Sequence, residues 1–254
     1  MQSKLGKEQL ADLRRSGHIL ATALKEVVSF VKPGITTLSL DEIAERSLRR
    51  QGAVPSFKNY KTGDGPAFPA TLCVSLNDEL VHGIPLKEKY LRDGDIVSLD
   101  IGANYKGTFT DMAVTLPVGK VSAKDKKIIE VTKNVLAEAI KFLKPGMTTG
   151  DLGFFIESYV KKQGLLVIRD FVGHGIGLAP HEDPQIPNFG QPKDGVVLEE
   201  GSTIAIEPMV VVGDIQVKID KDGWTVRMLK GGRPAHFEHT VLITKTGTEI
   251  ITKL

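Results

Sequence analysis

Apolar residues recur at helical spacing in two stretches of this chain, and at alternating or continuous spacing through much of the remainder. Leu10, Leu13, Leu20, Leu24, Val27 and Val31 share one helical face, and Ile128, Val131, Val135, Ala139 and Phe142 share another. Each stretch runs into a Pro-Gly pair, Pro33-Gly34 and Pro145-Gly146, where proline cannot continue a helix and glycine accepts turn dihedrals. The pairs belong to a repeat: Val31-Lys32-Pro33-Gly34-Ile35-Thr36-Thr37 returns as Leu143-Lys144-Pro145-Gly146-Met147-Thr148-Thr149. The match continues through Leu40 and Leu152, Glu45 and Glu157, and Gln51-Gly52 and Gln163-Gly164. A second helix is expected in each copy. Ser39 and Glu42 are spaced as a capping box at its start, Asp151 is the equivalent N-cap, and Gly52 and Gly164 close it.

Strand patterns follow each helix pair. They fall near 72–75, 96–102 and 108–116, then near 167–172, 202–212, 216–219, 225–229 and 236–244. Two helix-helix-strand halves, roughly 1–118 and 119–254, predict a single α+β domain with pseudo-twofold symmetry.

Composition adds limits. With 254 residues, 41% hydrophobic and 25% charged, the chain can bury a full core. A formal charge of +2 without long runs of like charge gives no support for nucleic-acid binding. The single cysteine, Cys73, excludes an intramolecular disulfide and a cysteine-based zinc module. Met1 to Lys7 is polar, and no run approaches the roughly 18 apolar residues of a membrane span, so a cytoplasmic location is expected.

Against this background, four carboxylates and one histidine stand where the patterns call for core residues. Asp100 ends Ile96-Val97-Ser98-Leu99, and Asp111 precedes Met112-Ala113-Val114. His174 is enclosed by glycines in Gly173-His174-Gly175-Ile176-Gly177. Glu207 ends Thr203-Ile204-Ala205-Ile206, and Glu238 interrupts Ala235 to Ile243. Burying one isolated carboxylate has an idealised cost on the order of 20 kcal/mol, so such groups pair or protonate, and several together require cations.

Asp100 and Asp111 flank a turn around Asn104 to Gly107. A two-residue turn there sets them directly opposite on one face, with Cβ atoms about 4.5–5.5 Å apart, close enough to share two divalent ions. A solvated surface hairpin is the alternative. The glycines around His174 fit a loop around a core histidine as well as a close approach to an ion. Glu207 precedes Pro208 and is biased to extended backbone, whereas Glu238 could equally lie on a solvated edge strand. Taken together, the set is mostly oxygen. It favours manganese, ferrous iron or cobalt, with zinc open, and suits hydrolysis of an amide or ester. Asp100 and Asp111 come from one half and the others from the second, which places the site near the pseudo-axis. Spacing alone leaves His82, in Val81-His82-Gly83-Ile84-Pro85, and His181, in Pro180-His181-Glu182-Asp183-Pro184, as loop histidines or participants.

These segments, with Ile206-Glu207-Pro208 and Phe237-Glu238-His239-Thr240, resemble the type I methionine aminopeptidases over nearly the whole chain. The resemblance implies the pita-bread fold, a curved antiparallel sheet between pseudo-twofold halves, and removal of the initiator methionine from new polypeptides. It implies a dinuclear site in which Asp100 chelates one ion, Asp111 and Glu238 bridge both, and His174 and Glu207 complete the other shell. Glu207 would accept the proton of the attacking water. His82 would bind near the scissile amide and help protonate the leaving amine, and His181 would stabilise the developing oxyanion. Cys73 and Trp224 match the methionine pocket, and Phe57, Tyr60 and Phe68 are further pocket candidates. They flank or lie within Lys58 to Pro66, a connection longer than the family's usual one. Pro180 stands where a bulkier apolar residue is commoner, and His236 where glutamine is usual, on the Glu238 face beside the ligands.

A peptide with N-terminal methionine is the implied partner, with ribosome docking as a family trait and a monomer expected. No cysteine-rich extension precedes the body, and Glu207 to Glu238 leaves no room for the helical insertion of type II enzymes. Prolidase and aminopeptidase P share the fold and metals, but carry a large extra N-terminal domain and lack the His82-Gly83-Ile84-Pro85 pattern. A pita-bread binding protein without catalysis would have lost ligands, and all five are present here.

Overall fold

The computed structural model describes residues 4–253, so the expected polar start is described only from Lys4 onward. Four helices carry the repeat: α1 Lys7–Ser29, α2 Thr37–Arg50, α3 Ala123–Phe142 and α4 Thr149–Lys162. α1 buries Leu13, Leu20, Leu24 and Val27, while Val31 lies beyond its end. Gly34 and Gly146 occupy matching left-handed positions, with φ of 90° and 89°.

The caps differ from the sequence expectation. Thr36 and Thr148 are the N-caps, and their hydroxyls accept from the Ser39 and Asp151 backbone N–H groups at 3.0 and 3.1 Å. Asp151 instead takes the third helical position and accepts the Thr148 N–H at 2.8 Å, which completes a capping box. The Thr-Thr pair after each turn supplies a hydroxyl one turn earlier than anticipated. Gly52 and Gly164 follow the second helices as expected, with φ of 83° and 74°.

In the first half the strands are β1 Val54–Pro55, β2 Leu72–Leu76, β3 Glu79–Val81, β4 Ile96–Tyr105 and β5 Thr108–Pro117. The second half has β6 Leu166–Val167, β7 Gly173–Gly175, β8 Glu182–Ile186, β9 Thr203–Ile206 and β10 Met209–Val211. It continues with β11 Val217–Ile219, β12 Val226–Met228, β13 Ala235–His236, β14 Glu238–Thr244 and β15 Gly247–Ile250. The main antiparallel sheet runs β1-β4-β5-β14-β9-β7-β8, with β2 on β4 and β15 on β14. Two small sheets, β13-β10-β6 and β11-β12-β3, flank it. This is the α+β pita-bread architecture that the repeat and the resemblance led us to expect.

Several strands depart from the reading. The segment 202–212 breaks at Glu207-Pro208 and 236–244 breaks at Phe237, so each passes from one sheet to another. Proline lacks the N–H that would continue the ladder, and its partner strand breaks beside it. Of the expected strand at 167–172 only Val167 lies in a strand, β6. The short or polar strands β1, β3, β8 and β15 carry no clear pattern.

One apolar cluster packs α1 and α2 on β2 and β4, and a second packs α3 and α4 on β9, β10 and β14. Asp41 of α2 pins the start of β2 by accepting the Thr71 and Leu72 N–H groups, each at 2.8 Å. Arg227 of β12 binds Asp78 at 2.6 Å and Glu79 at 3.1 Å, which locks β12 to β3.

Candidate metal centre

Register places the carboxylates. Tyr105 pairs with Thr108 across a two-residue turn, Lys106-Gly107, with φ of 50° and 82°. The turn lies later in the chain than a direct Asp100–Asp111 pair requires. Asp100 therefore pairs with Ala113, and Gly102 pairs with Asp111, so the two aspartates are diagonal neighbours on one face. Ala113 also pairs with Glu238, and Cys73 with Asp100. Directly paired residues share a face, so Cys73, Asp100, Ala113 and Glu238 form one row across four strands. Glu207 continues β9 just past Ile206, whose partner is His239, and so arrives beside Glu238.

His174 sits at the centre of β7, which is a strand rather than a loop. Its glycines are there for want of space: a Cβ on Gly173 would meet the Ala205 carbonyl oxygen at 2.3 Å, and one on Gly175 the Asp183 oxygen at 2.3 Å. His174 Nδ1 lies 2.9 Å from the Gly175 carbonyl oxygen. A carbonyl can only accept, so Nδ1 carries the proton and Nε2 presents its lone pair, 3.7 Å from Glu207 Oε1.

The donors converge. Asp111, His174 and Glu238 each offer a ligand atom within 4.8 Å of the others, as do Glu207, His236 and Glu238. Burial pushes Asp100 up to about 6 and Glu207 up to about 8. Burial, reinforced by neighbouring carboxylates, lifts Asp111 and Glu238 well above the ordinary range. Burial also lowers His174 to about 3, which keeps it neutral and able to ligate. Asp100 Oδ1, Glu238 Oε1 and both His236 ring nitrogens have no hydrogen-bond partner. Divalent cations fit this set: they favour the ionised carboxylates and occupy the orphaned donors.

A cavity of about 110 Å³ opens in front of this face. Phe57, Phe68, Cys73 and Trp224 form an apolar cluster along it. Phe68 meets Trp224 edge-on at 5.3 Å, and Trp224 Nε1 donates to the Pro66 carbonyl at 2.9 Å. The long connection closes on itself, since Asn59 N–H donates to Phe68 O and Phe68 N–H to Tyr60 O, each at 2.8 Å. That brings Tyr60 and Phe68 to the cavity, together with Thr62, which sequence reasoning missed. Pro180 is not among the lining residues.

His82 follows β3 in a left-handed conformation, φ 58°, unusual for a residue with a side chain. It packs edge-on against Phe171 at 5.8 Å and Trp224 at 6.0 Å, and burial lowers its pKa to about 4. His181, at the exposed mouth, lies 4.4 Å from the His174 ring, and its Nδ1 is 2.9 Å from the Tyr60 hydroxyl. The Tyr60 bond has no sequence signal. His236, expected beside the ligands, lies 3.4 Å from Glu207 Oε2 and 4.0 Å from Glu238 Oε2.

Residues 11–245 match the family model of metallopeptidase family M24. The chain belongs to that family. It is 46% identical over 246 residues to methionine aminopeptidase 1 of Bacillus subtilis, covering 97% of each chain. It is 41% identical to the methionine aminopeptidase of Aquifex aeolicus, covering 98% of this chain and 97% of that one. The crystal structure of methionine aminopeptidase from Thermotoga maritima superposes with a TM-score of 0.96 at 45% identity, over 100% of both chains. Prolidase from Pyrococcus furiosus matches at 0.77 and 26%, covering 99% of this chain and 65% of that one. This M24 member is a peptide hydrolase of the methionine aminopeptidase type.

Proposed function

We propose that the chain removes N-terminal methionine from new polypeptides with two divalent ions held by Asp100, Asp111, His174, Glu207 and Glu238. One observation carries the reading: the carboxylate row runs through Cys73 directly into the aromatic pocket, so metal donors and an apolar slot share one cavity. The mostly oxygen set favours manganese, ferrous iron or cobalt, with zinc next. Residues 1–254 act as one catalytic domain built from halves of roughly 1–118 and 119–254. The setting is a cytoplasmic monomer acting on chains at the ribosome.

Ions held there supply Lewis acidity to the scissile carbonyl and lower the pKa of water towards about 7. Glu207, at the strand break, accepts the proton of the attacking water. His82, neutral and held by Phe171 and Trp224, binds beside the scissile amide and helps return a proton to the leaving amine. Burial keeps the Tyr60 hydroxyl protonated, so it donates to His181 Nδ1. That leaves the proton of the neutral imidazole on Nε2, as a donor to the developing oxyanion. Phe57, Phe68, Cys73 and Trp224 take the methionine side chain; burial keeps the Cys73 thiol uncharged. The acidic wall faces the free amine, which restricts cleavage to the first residue.

The fold shared with Pyrococcus furiosus prolidase makes an X-Pro peptidase the second reading. The two separate on substrate. Supplied with manganese, iron or cobalt, the protein should release methionine from Met-Ala-Ser and leave X-Pro dipeptides intact. Robust X-Pro cleavage without methionine release would establish the second reading. No hydrolysis with any of these ions, together with low metal content, would point to a binding protein.

A further inference from the structure

We propose that His236 is a sixth protein donor to the ion pair, its Nε2 sharing one cation with Glu207 and Glu238. The inference rests on the metal reading above and extends it to a residue outside the five.

The His236 side chain is 2% exposed, and neither ring nitrogen has a hydrogen-bond partner. Of the other three imidazoles at this cavity, His174 is tied through Nδ1 to the Gly175 carbonyl and His181 to the Tyr60 hydroxyl, while His82 packs edge-on against Phe171 and Trp224. Buried polar atoms in folded proteins are nearly always satisfied, so a fully enclosed orphan points to a ligand. The backbone fixes the ring's position. The His236 N–H donates to Thr115 Oγ1 and the same hydroxyl donates to the His236 carbonyl, each at 2.8 Å, while His236 pairs with Met209.

The distances suit shared coordination. Metal bonds of about 2.0–2.2 Å to imidazole and carboxylate put two ligand atoms about 3.4 Å apart at a tetrahedral angle, and up to about 4.2 Å apart when wider. Nε2 stands 3.4 Å from Glu207 Oε2 and 4.0 Å from Glu238 Oε2. Direct donation from Nε2–H to Glu207 is the competing account. At 3.4 Å it is too long for a good hydrogen bond. An ion between the three gives Nε2 and one oxygen of each carboxylate a partner together. The resulting nitrogen-plus-two-carboxylate triad is softer than an all-oxygen site and favours cobalt or zinc over manganese.

The test is NMR of the cobalt(II)-loaded protein with 15N-labelled histidine. Two directly coordinated, contact-shifted imidazoles are expected, and one after H236Q. Equilibrium dialysis should show the weaker cobalt held about 10-fold or more less tightly in H236Q and H236A, with manganese affected less. Circular dichroism checks that each variant is folded, and the wild-type count stands even where one is not. A single coordinated imidazole in the wild type, or unchanged cobalt affinity in both folded variants, overturns the proposal while leaving the five-residue site intact. Absence of any coordinated imidazole overturns both.

Discussion

Stripped of divalent ions, the protein should lose stability as pH rises from 6.5 to 8, a window in which most proteins are indifferent. The cause lies in the carboxylates. Burial raises Glu207 from 4.5 to about 8, so the folded state holds a proton that the unfolded chain has already released. A raised carboxyl contributes stability that is complete below its unfolded pKa and is lost as pH climbs to the folded value. The buried histidines act oppositely: His174 and His82 fall from 6.5 to about 3 and about 4, so stability rises with pH and levels off by about pH 7.5. Between 6.5 and about 7.5 each buried histidine, His181, His236 and His239 included, still adds about 0.4 kcal/mol, and above that Glu207, Asp111 and Glu238 alone set the slope. The remaining 1.5 units or so of Glu207 correspond to about 2 kcal/mol, and Asp111 and Glu238, displaced the same way, add to it. For a chain of this size, about 2 kcal/mol lowers Tm by roughly 4–8 °C. Thermal unfolding of chelator-treated, desalted protein at steps between pH 6.5 and 8, with and without manganese, measures this. The ion-loaded protein should stay nearly level, because its carboxylates are ionised throughout. A metal-free Tm that is flat or rises over the window would refute the placement of these carboxylates in a shared dry site.

Other perturbations follow from the same geometry. Gly173→Ala places a Cβ against the Ala205 carbonyl and should cost about 1–3 kcal/mol, measured by denaturant unfolding, while displacing His174 and lowering bound metal. Tyr60→Phe keeps the ring but removes the donor to His181 Nδ1. At about 0.5–1.5 kcal/mol for the bond, kcat on Met-Ala-Ser should fall by roughly 2–10-fold with KM little changed. Ala113→Val puts branched bulk between Asp100 and Glu238 and should reduce bound metal in a protein that still folds, read by metal analysis and circular dichroism. Trp224→Ala opens the pocket wall beside Phe68 and His82 and should raise KM for methionine substrates, as steady-state kinetics would show.

Much of this was legible in the chain because the signals were repeated or energetically costly. The Pro-Gly turns and their duplicated flanks announced both helix pairs, and four carboxylates among apolar runs announced cations. What escaped depended on register and on longer-range packing. The aspartate pair is diagonal because Lys106-Gly107, and not the preceding pair, takes the left-handed turn. Thr36 and Thr148, not Ser39 and Asp151, cap the second helices because capping depends on which residue is extended, which the spacing alone did not reveal. The breaks at Glu207-Pro208 and Phe237 lie side by side in space but far apart in sequence. Tyr60 reaches His181 only because the long connection folds back through Phe68.

The central claim, that five side chains on one sheet face hold the ions that make this chain a methionine-releasing enzyme, is tested most directly by titrating metal-free protein with manganese or cobalt. Bound ion per chain and methionine release from Met-Ala-Ser are followed together, in wild type and in Asp111→Asn. Release should appear only with bound ion and rise to a plateau at two per chain, and the Asp111→Asn variant should lose both. Full occupancy and full turnover in that variant, or methionine release without any ion, would contradict the account.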